Sequence, residues 1–381
     1  MLNFFKIGSY VKDTINPKRL YISNYFKTAF EKKILISYIT QPFISGISFG
    51  HSNNSEVIEI AKIFHEKKFQ VDIIRYNGNF KLMKFKNIKY DVVFGLEPNF
   101  LKAVTVFHPQ KSIYYATGAH YIFQNNAEND RLLDLEKRKG ILLSPRRFVA
   151  PHESSKIADA VICIGNAWTA STYSGESKQI ECIPVSAYNM FSIEDIQAQK
   201  SWMDARRNFL WLGSVGAIHK GLDLLLDIFS RNPNAHLYVC GNVRKEKDFL
   251  DIYKEELLHT NNIHYMGWIS PDSEDFKRLA IICAFSILPS CSESMNGAVP
   301  TCMHLGLIPL VSKECGLDVE NCGTVFENNS IRVIEGIILD HTGKDEQWLL
   351  QKSSQSYEFA KKNNTIENFS ACFRDALKKI L

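Results

Sequence analysis

The chain has 381 residues, longer than one hydrophobic core usually supports, so two domains are expected. Hydrophobic residues at 45% and charged residues at 23% exclude extensive disorder, and 45 Lys and Arg against 41 Asp and Glu give a net +4, too weak a bias to argue for nucleic acid. The 9 Cys are scattered, with no CxxC pair and no His at finger spacing, which argues against a disulfide framework or a zinc site and fits a reducing compartment.

No stretch approaches the roughly 18 apolar residues of a membrane-spanning helix, and no continuous apolar signal core opens the chain, so a cytoplasmic protein is expected. Residues 1–31 mix Lys and Arg with Phe4, Phe5, Tyr10, Leu20, Tyr21, Tyr25, Phe26 and Phe30. Two readings stay open there: a helical or irregular cover on the first domain, and a basic aromatic face making a peripheral contact with the inner side of a membrane.

From Lys33 to about Pro184 apolar strand patterns alternate with helical ones. Strands are expected at Ile34 to Ile39, Val71 to Tyr76, Asp91 to Phe94, Ser112 to Ala116, Ala160 to Ile164 and Gln179 to Ile183. Val57, Ile60, Ala61 and Phe64 recur at helical spacing behind Ser55, which is expected to cap that helix. Two polar loops fall at strand ends. One holds Gly46, Gly50, His51, Ser52, Asn53 and Asn54; the other is Thr117 to His120. For each histidine a solvated or capping role competes about evenly with a site role. Residues Asn125 to Glu153 are irregular and charged and read as an inserted loop or helix with a solvated face; Arg146 and Arg147, after Pro145, are the exceptions to test.

Val185 to Arg207 lacks strand signals and reads as the interdomain connection. A second alternation follows, with strands at Phe209 to Leu212, His236 to Cys240, Asn262 to Met266, Phe285 to Leu288 and Ile308 to Val311. Helices are expected at Gly221 to Ser230, Lys245 to His259, Asp272 to Ile282, Ala298 to Leu305 and, at the end, Thr365 to Leu381. The fold class is therefore α/β, with two doubly wound, Rossmann-like parallel sheets and a cleft between them. No GxGxxG follows either opening strand, so dinucleotide binding is poorly supported.

The chain is organised around Phe285 to Ser312, where a strand feeds a small polar loop holding one carboxylate, Glu293, and then a helix. Such a loop, rich in Ser, Asn and Gly at the carboxyl end of a parallel strand, offers backbone N–H groups and a helix start to an anion. The first strand of the second half ends in Gly213, Ser214, Val215 and Gly216 and reaches Lys220 at the next helix; the spacing is not that of a P-loop, yet a mobile cation and loop amides converge there as well.

The ordered set "FLWLGSVGAIHKGLDLLLDIF" (209–229), "HLYVCG" (236–241), "NIHYMGWIS" (262–270), "LPSCSES" (288–294) and "CMHLGLIPLVS" (302–312) resembles the GT-B glycosyltransferases, and within them the retaining family-4 group. "ADAVICIG" (158–165) and "IECIPVSAYN" (180–189) resemble the end of that family's first domain. The resemblance implies an acceptor-binding domain over residues 1–190, a nucleotide-sugar-binding domain over 191–355, and a C-terminal helix over 356–381 that crosses back to the first.

It also implies site roles. Lys220 takes the place of the Lys that binds the donor diphosphate, and Glu293 that of the Glu that contacts sugar hydroxyls. Gly213, Ser214, Ser294, Met295, Asn296 and Gly297 line the donor phosphates, Trp268 and Ile269 the nucleobase pocket, and His120 resembles the His facing the donor sugar. Gly50, His51 and Asn53 fall on the acceptor side. Two positions depart from the family pattern: Ser214 stands where an Arg usually accompanies the Lys, and Thr301 where a second Glu usually holds the ribose. The implied activity is transfer of a sugar from a nucleoside-diphosphate donor to a glycan or lipid-linked glycan in surface polysaccharide synthesis, with no metal ion and no cofactor beyond the nucleotide sugar. A catalytically silent GT-B scaffold subunit and a GT-B epimerase stay as alternatives.

Overall fold

The computed structural model describes residues 20–48, 50–79, 81–177 and 179–381. Phe4, Phe5 and Tyr10 of the N-terminal segment lie outside them. In chain order the first half runs β1 (Tyr21–Ile22), β2 (Lys32–Tyr38), α1 (Gln41–Ser45), α2 (Asn53–Glu66), β3 (Phe69–Arg75), β4 (Val92–Gly95), α3 (Asn99–Phe107), β5 (Lys111–Ala116), α4 (Tyr121–Lys139), α5 (Ser154–Ile157), β6 (Ala160–Ile164), α6 (Ala167–Ser171) and β7 (Ile180–Ile183). These strands form one sheet in the order β1-β3-β2-β4-β5-β6-β7, parallel except for β1, which pairs antiparallel with β3.

The second half continues through α7 (Ile193–Gln199), α8 (Trp202–Ala205), β8 (Asn208–Leu212), α9 (Leu222–Phe229), β9 (His236–Cys240), α10 (Lys247–His259), β10 (Ile263–Gly267), α11 (Glu274–Ile282), β11 (Phe285–Leu288), α12 (Ala298–Met303), β12 (Ile308–Ser312), β13 (Thr324–Phe326), α13 (Ile331–Thr342), α14 (Glu346–Asn363) and α15 (Ile366–Ile380). Its sheet is wholly parallel, in the order β10-β9-β8-β11-β12-β13. Both halves are thus doubly wound, as the alternation of strand and helix patterns predicts.

Strand periodicity explains the layers. Ile34, Ile36, Val92, Phe94, Ile113 and Tyr115 point to one face of the first sheet, while Leu35, Val93, Tyr114 and Ala116 point to the other. With both faces covered, the strands read as continuous apolar runs. One face is closed by α2 and by α15, whose Phe369, Phe373, Ala376, Leu377 and Ile380 join that core. The last helix therefore lies on the N-terminal sheet, whereas α14 stays with the second domain through Leu349 and Ala360. The chain crosses between the domains twice at one place: the Ala187 amide donates to the Asn364 carbonyl at 3.0 Å, and the Asn364 side chain donates to Val185 O at 3.0 Å.

Two local expectations are corrected, and short elements are added. Helix α2 begins at Asn53 after Ser52, and the Ser55 hydroxyl donates to Ser52 O at 2.9 Å inside its first turn instead of capping it. Residues 185–207 contain two short helices, α7 and α8, and β1 and β13 are strands too short for a periodic signal. The charged segment after His120 is the long helix α4, and its Arg131, Arg138 and Lys139 are not a solvated face. Arg131 donates to Pro289 O at 3.2 Å, Arg138 pairs with Asp223 and Asp227, and Lys139 pairs with Asp227 at 2.8 Å and Glu256 at 3.1 Å. The acids that receive them lie in the second domain, 85 residues or more along the chain, where no local pattern can announce them.

Candidate active site

In an open α/β sheet the ligand crevice lies where neighbouring strands send their connections to opposite sides. In the second sheet that point falls between β8 and β11, and these are the strands whose following loops carry Lys220 and Glu293. Gly221, at φ +70, lets the Lys220 turn press on the loop after β11: a Cβ there would stand 2.3 Å from the Pro289 carbonyl oxygen. The two loops are then tied together. The Cys291 amide and the Ser290 hydroxyl both donate to His219 O, at 2.9 and 3.1 Å, and the indole of Trp211 donates to Lys220 O at 3.2 Å.

The result is a direct ion pair between the Lys220 ammonium and the Glu293 carboxylate, with both side chains at most a tenth exposed. Ser290 Oγ lies 3.2 Å from the same carboxylate oxygen and shares its one hydrogen between it and His219 O. Burial alone pushes the Glu293 carboxyl up; the charges of Lys220 and then Arg147 outweigh it and hold the group down at about 2. His219, fully buried beside them, is lowered to about 3 chiefly by burial, so its ring is neutral. Its Nε2 bonds the Ser292 carbonyl and its Nδ1 has no hydrogen-bond partner.

The backbone donors are fewer than the sequence suggests. The N–H groups of Gly216 and Ala217 are taken by the buried carboxylate of Glu246, at 2.7 and 3.1 Å, so the loop after β8 does not present them to a ligand. In the second loop the Glu293 and Asn296 amides bond the carbonyls of Glu314 and Cys315, and the Asn296 side chain accepts from Ala298 N at 2.9 Å and Val299 N at 3.3 Å. Helix α12 is only 6 residues long, and its first amides are already capped. The N–H groups of Ser290, Ser292, Ser294, Met295 and Gly297 in this loop donate to no acceptor among the described residues. Thr301 donates its hydroxyl to Gly297 O at 2.8 Å within its own helix. Gly213 lies over the Trp211 ring and Ser214 is exposed. Trp268 stands at the end of β10 with 57% of its surface exposed, next to the half-buried Ile269.

The first domain closes over this loop. Ser294 Oγ donates to Thr117 O and Thr169 Oγ1 to Ser294 O, both at 2.9 Å, and a Cβ on Gly297 would lie 3.4 Å from Ser52 Oγ. His51, like Gly50 before it, is exposed to solvent. Its Nδ1 accepts the Asn53 amide at 3.2 Å, which leaves Nε2 to carry the proton. Although the side chain is exposed, partial desolvation by the surrounding loops, and then the positive charges of Lys220 and Arg147, lower its pKa. His120 belongs to a different group. It is buried against Tyr121 and Tyr173, 3.8 Å from Glu176, and the charges acting most on it are those of Glu176, His152, Lys156 and Glu153, all in the first domain. The structure thus joins Lys220, Glu293 and His51 and sets His120 apart.

No protein-family model matches the sequence, and no curated protein does. Solved structures do match. Sucrose-phosphate synthase from Thermosynechococcus elongatus superposes at TM-score 0.65 with 14% identity, over 92% of this chain and 99% of that one. Anabaena HepE, in complex with UDP and glucose, superposes at TM-score 0.60 with 13% identity over 91% and 99%. WaaG, a glycosyltransferase involved in lipopolysaccharide biosynthesis, superposes at 0.55 with 14% identity over 91% and 99%.

The chain has the GT-B fold. Coverage of nearly the whole of each neighbour means that both domains and their pairing are shared, not one Rossmann-like half. Within this GT-B frame the sequence missed several residues at the cleft. Glu128 of α4 accepts the Arg146 and Arg147 amides at 2.9 and 3.0 Å and lies 3.9 Å from His219. Asp223 has no exposed surface and is held by Arg131 and Arg138. The Arg146–Arg147 doublet was the one signal of this contact in the sequence.

Proposed function

We propose that this chain is a hexosyl-type glycosyltransferase that moves a sugar, with retention, from a nucleoside-diphosphate donor to a glycan or lipid-linked glycan during surface polysaccharide synthesis on the cytoplasmic side. The observation that carries the reading is the Lys220–Glu293 pair, placed at the switch point of one sheet and roofed by the other domain of a GT-B fold. The UDP and glucose held by HepE support a nucleotide-sugar donor by likeness of fold.

The chemistry follows from where charge develops. As the bond from the anomeric carbon to the phosphate oxygen breaks, positive charge grows on the sugar and negative charge on the departing diphosphate. The Lys220 ammonium would turn to the diphosphate, joined by the free amides of Ser294, Met295 and Gly297, while Glu293 orients sugar hydroxyls and offsets the positive ring. The acceptor oxygen bonds the same face of the anomeric carbon, and its proton passes to the leaving phosphate oxygen, so no protein nucleophile and no metal ion is required. The exposed Trp268 and the half-buried Ile269 would receive the base. His51, with a proton on Nε2 and the ring neutral, would donate a hydrogen bond on the acceptor side.

The test is a thermal-shift screen of nucleoside diphosphates and their sugars. A ligand at about 100 times its Kd adds about 2.7 kcal/mol to the folded state. At least one diphosphate should raise Tm by several degrees, and its sugar should be consumed when acceptor is supplied. No stabilisation by any of them, with no consumption, overturns the reading.

A further inference from the structure

We infer that Arg147, a residue of the first domain, supplies the second cation for the donor diphosphate, so that the leaving group is held from both sides of the cleft. This rests on the glycosyl-transfer reading above and names a residue it lacks.

The backbone at Arg147 is fixed from both ends. Its N–H donates to both carboxylate oxygens of Glu128 at 3.0 Å, and its carbonyl accepts from the Gln124 side chain. The side chain then runs across the domain boundary. Gly216, at φ +95, is where it lands: a Cβ at 216 would lie 2.9 Å from Arg147 Cγ and 3.3 Å from Cδ, so only a glycine leaves room for the stem. Gly216 opens the turn that ends in Lys220, closed by a 2.9 Å bond from the Lys220 amide to Gly216 O. Arg147 is therefore laid along the base of the Lys220 turn, and its charge reaches Glu293, His219 and His51.

The guanidinium is nonetheless unclaimed. Among the described residues no carboxylate lies within ion-pair distance of it, in contrast to Arg131, Arg138, Lys139 and Arg146, each of which pairs with an acid of the second domain. The two acids that flank the turn, Glu128 and Glu246, are each occupied by backbone N–H groups. Lys220 shares its charge with Glu293, and a diphosphate carries more negative charge than one ammonium offsets. A half-buried guanidinium with a free planar fork, its stem lying along the base of the Lys220 turn, is suited to a phosphate, which it can grip through two N–H groups at once. Ser214, exposed at the end of β8, has only a hydroxyl to offer. Because Arg147 and Lys220 belong to different domains, tight donor binding requires the closed arrangement.

The experiment uses the full chain and isothermal titration with inorganic pyrophosphate, a panel of nucleoside diphosphates and the matching nucleosides. Variants are Arg147→Gln, Arg147→Lys and the double variant Arg147→Gln with Ser214→Arg, each checked for an unchanged melting curve. Arg147→Gln should weaken the best diphosphate at least about tenfold, the scale of one lost charge-assisted bond, and leave the nucleoside unaffected. Arg147→Lys should fall between the two, and Ser214→Arg should restore part of the loss. Undiminished diphosphate binding in Arg147→Gln overturns this assignment alone. A wild-type chain that binds neither pyrophosphate nor any diphosphate overturns the functional reading and this assignment with it.

Discussion

Arg138 of helix α4 reaches out of the first domain to Asp223 in the first turn of α9, a carboxylate with no exposed surface. Burial raises the Asp223 pKa and the charges of Arg131 and Arg138 oppose it. The same guanidinium pairs with Asp227 and donates to Tyr253 at 3.1 Å. Removing it leaves a buried acid with only Arg131, at 4.0 Å, to offset it, and breaking such a buried pair typically costs roughly 3–5 kcal/mol. Arg138→Ala should therefore lower stability by about that much in denaturant melts, and Arg138→Ala with Asp223→Asn should recover part of it. Equal stability of wild type and Arg138→Ala would show that the domains are held together elsewhere.

The crossing helix makes a second prediction. Phe373 of α15 is fully buried, with its ring 6.0 Å from Phe64 and 5.6 Å from Phe94 at near-perpendicular angles. Phe373→Ala should cost about 3–5 kcal/mol and expose the core of the first domain, raising binding of a hydrophobic dye. A loss under about 1 kcal/mol would mean that α15 is not integral to that core.

Glu56 of α2 gives stability a pH dependence. Burial raises its carboxyl to about 7 against the hydrogen bonds from Ser186 and Ser52, which lower it. The folded chain holds the proton more tightly than the unfolded one, so this group's contribution is full below its ordinary value of 4.5 and is lost as pH rises through about 7. Glu56→Gln keeps an acceptor for Ser186 but cannot titrate. Its Tm relative to wild type should climb between pH 5 and 8; a constant difference would place the titration elsewhere.

The ion pair itself is testable apart from catalysis. Lys220→Met leaves the Glu293 carboxylate buried without its cation, so the variant should lose roughly 3–5 kcal/mol, and Lys220→Met with Glu293→Leu should regain most of it. Additive losses in the double variant would argue that the two side chains do not interact.

Much of this was legible in the sequence because the fold uses short continuous apolar strands and long amphipathic helices. Ala160–Ile164, His236–Cys240 and Phe285–Leu288 are strands as read, and Lys220 and Glu293 stand at the ends of neighbouring ones. What failed did so for nonlocal reasons. The amides of Gly216 and Ala217 look free until Glu246 folds onto them, Asn296 caps α12 where the resemblance set it against the donor phosphates, and the basic face of α4 looks solvated until Asp223, Asp227 and Glu256 arrive from the other domain. His51 and His120 are equivalent in sequence, each in a polar loop after a strand. Only packing separates the one that feels Lys220 from the one enclosed by Tyr121, Tyr173 and Glu176.

The central claim is that the Lys220–Glu293 pair opens to a nucleotide sugar and drives transfer. The most direct measurement is steady-state release of nucleoside diphosphate, with the donor chosen by thermal shift, in wild type, Lys220→Ala and Glu293→Gln. Wild type should turn over, and both variants, folded by circular dichroism, should be slower by about a hundredfold or more. Turnover near the wild-type rate in either variant would contradict the account.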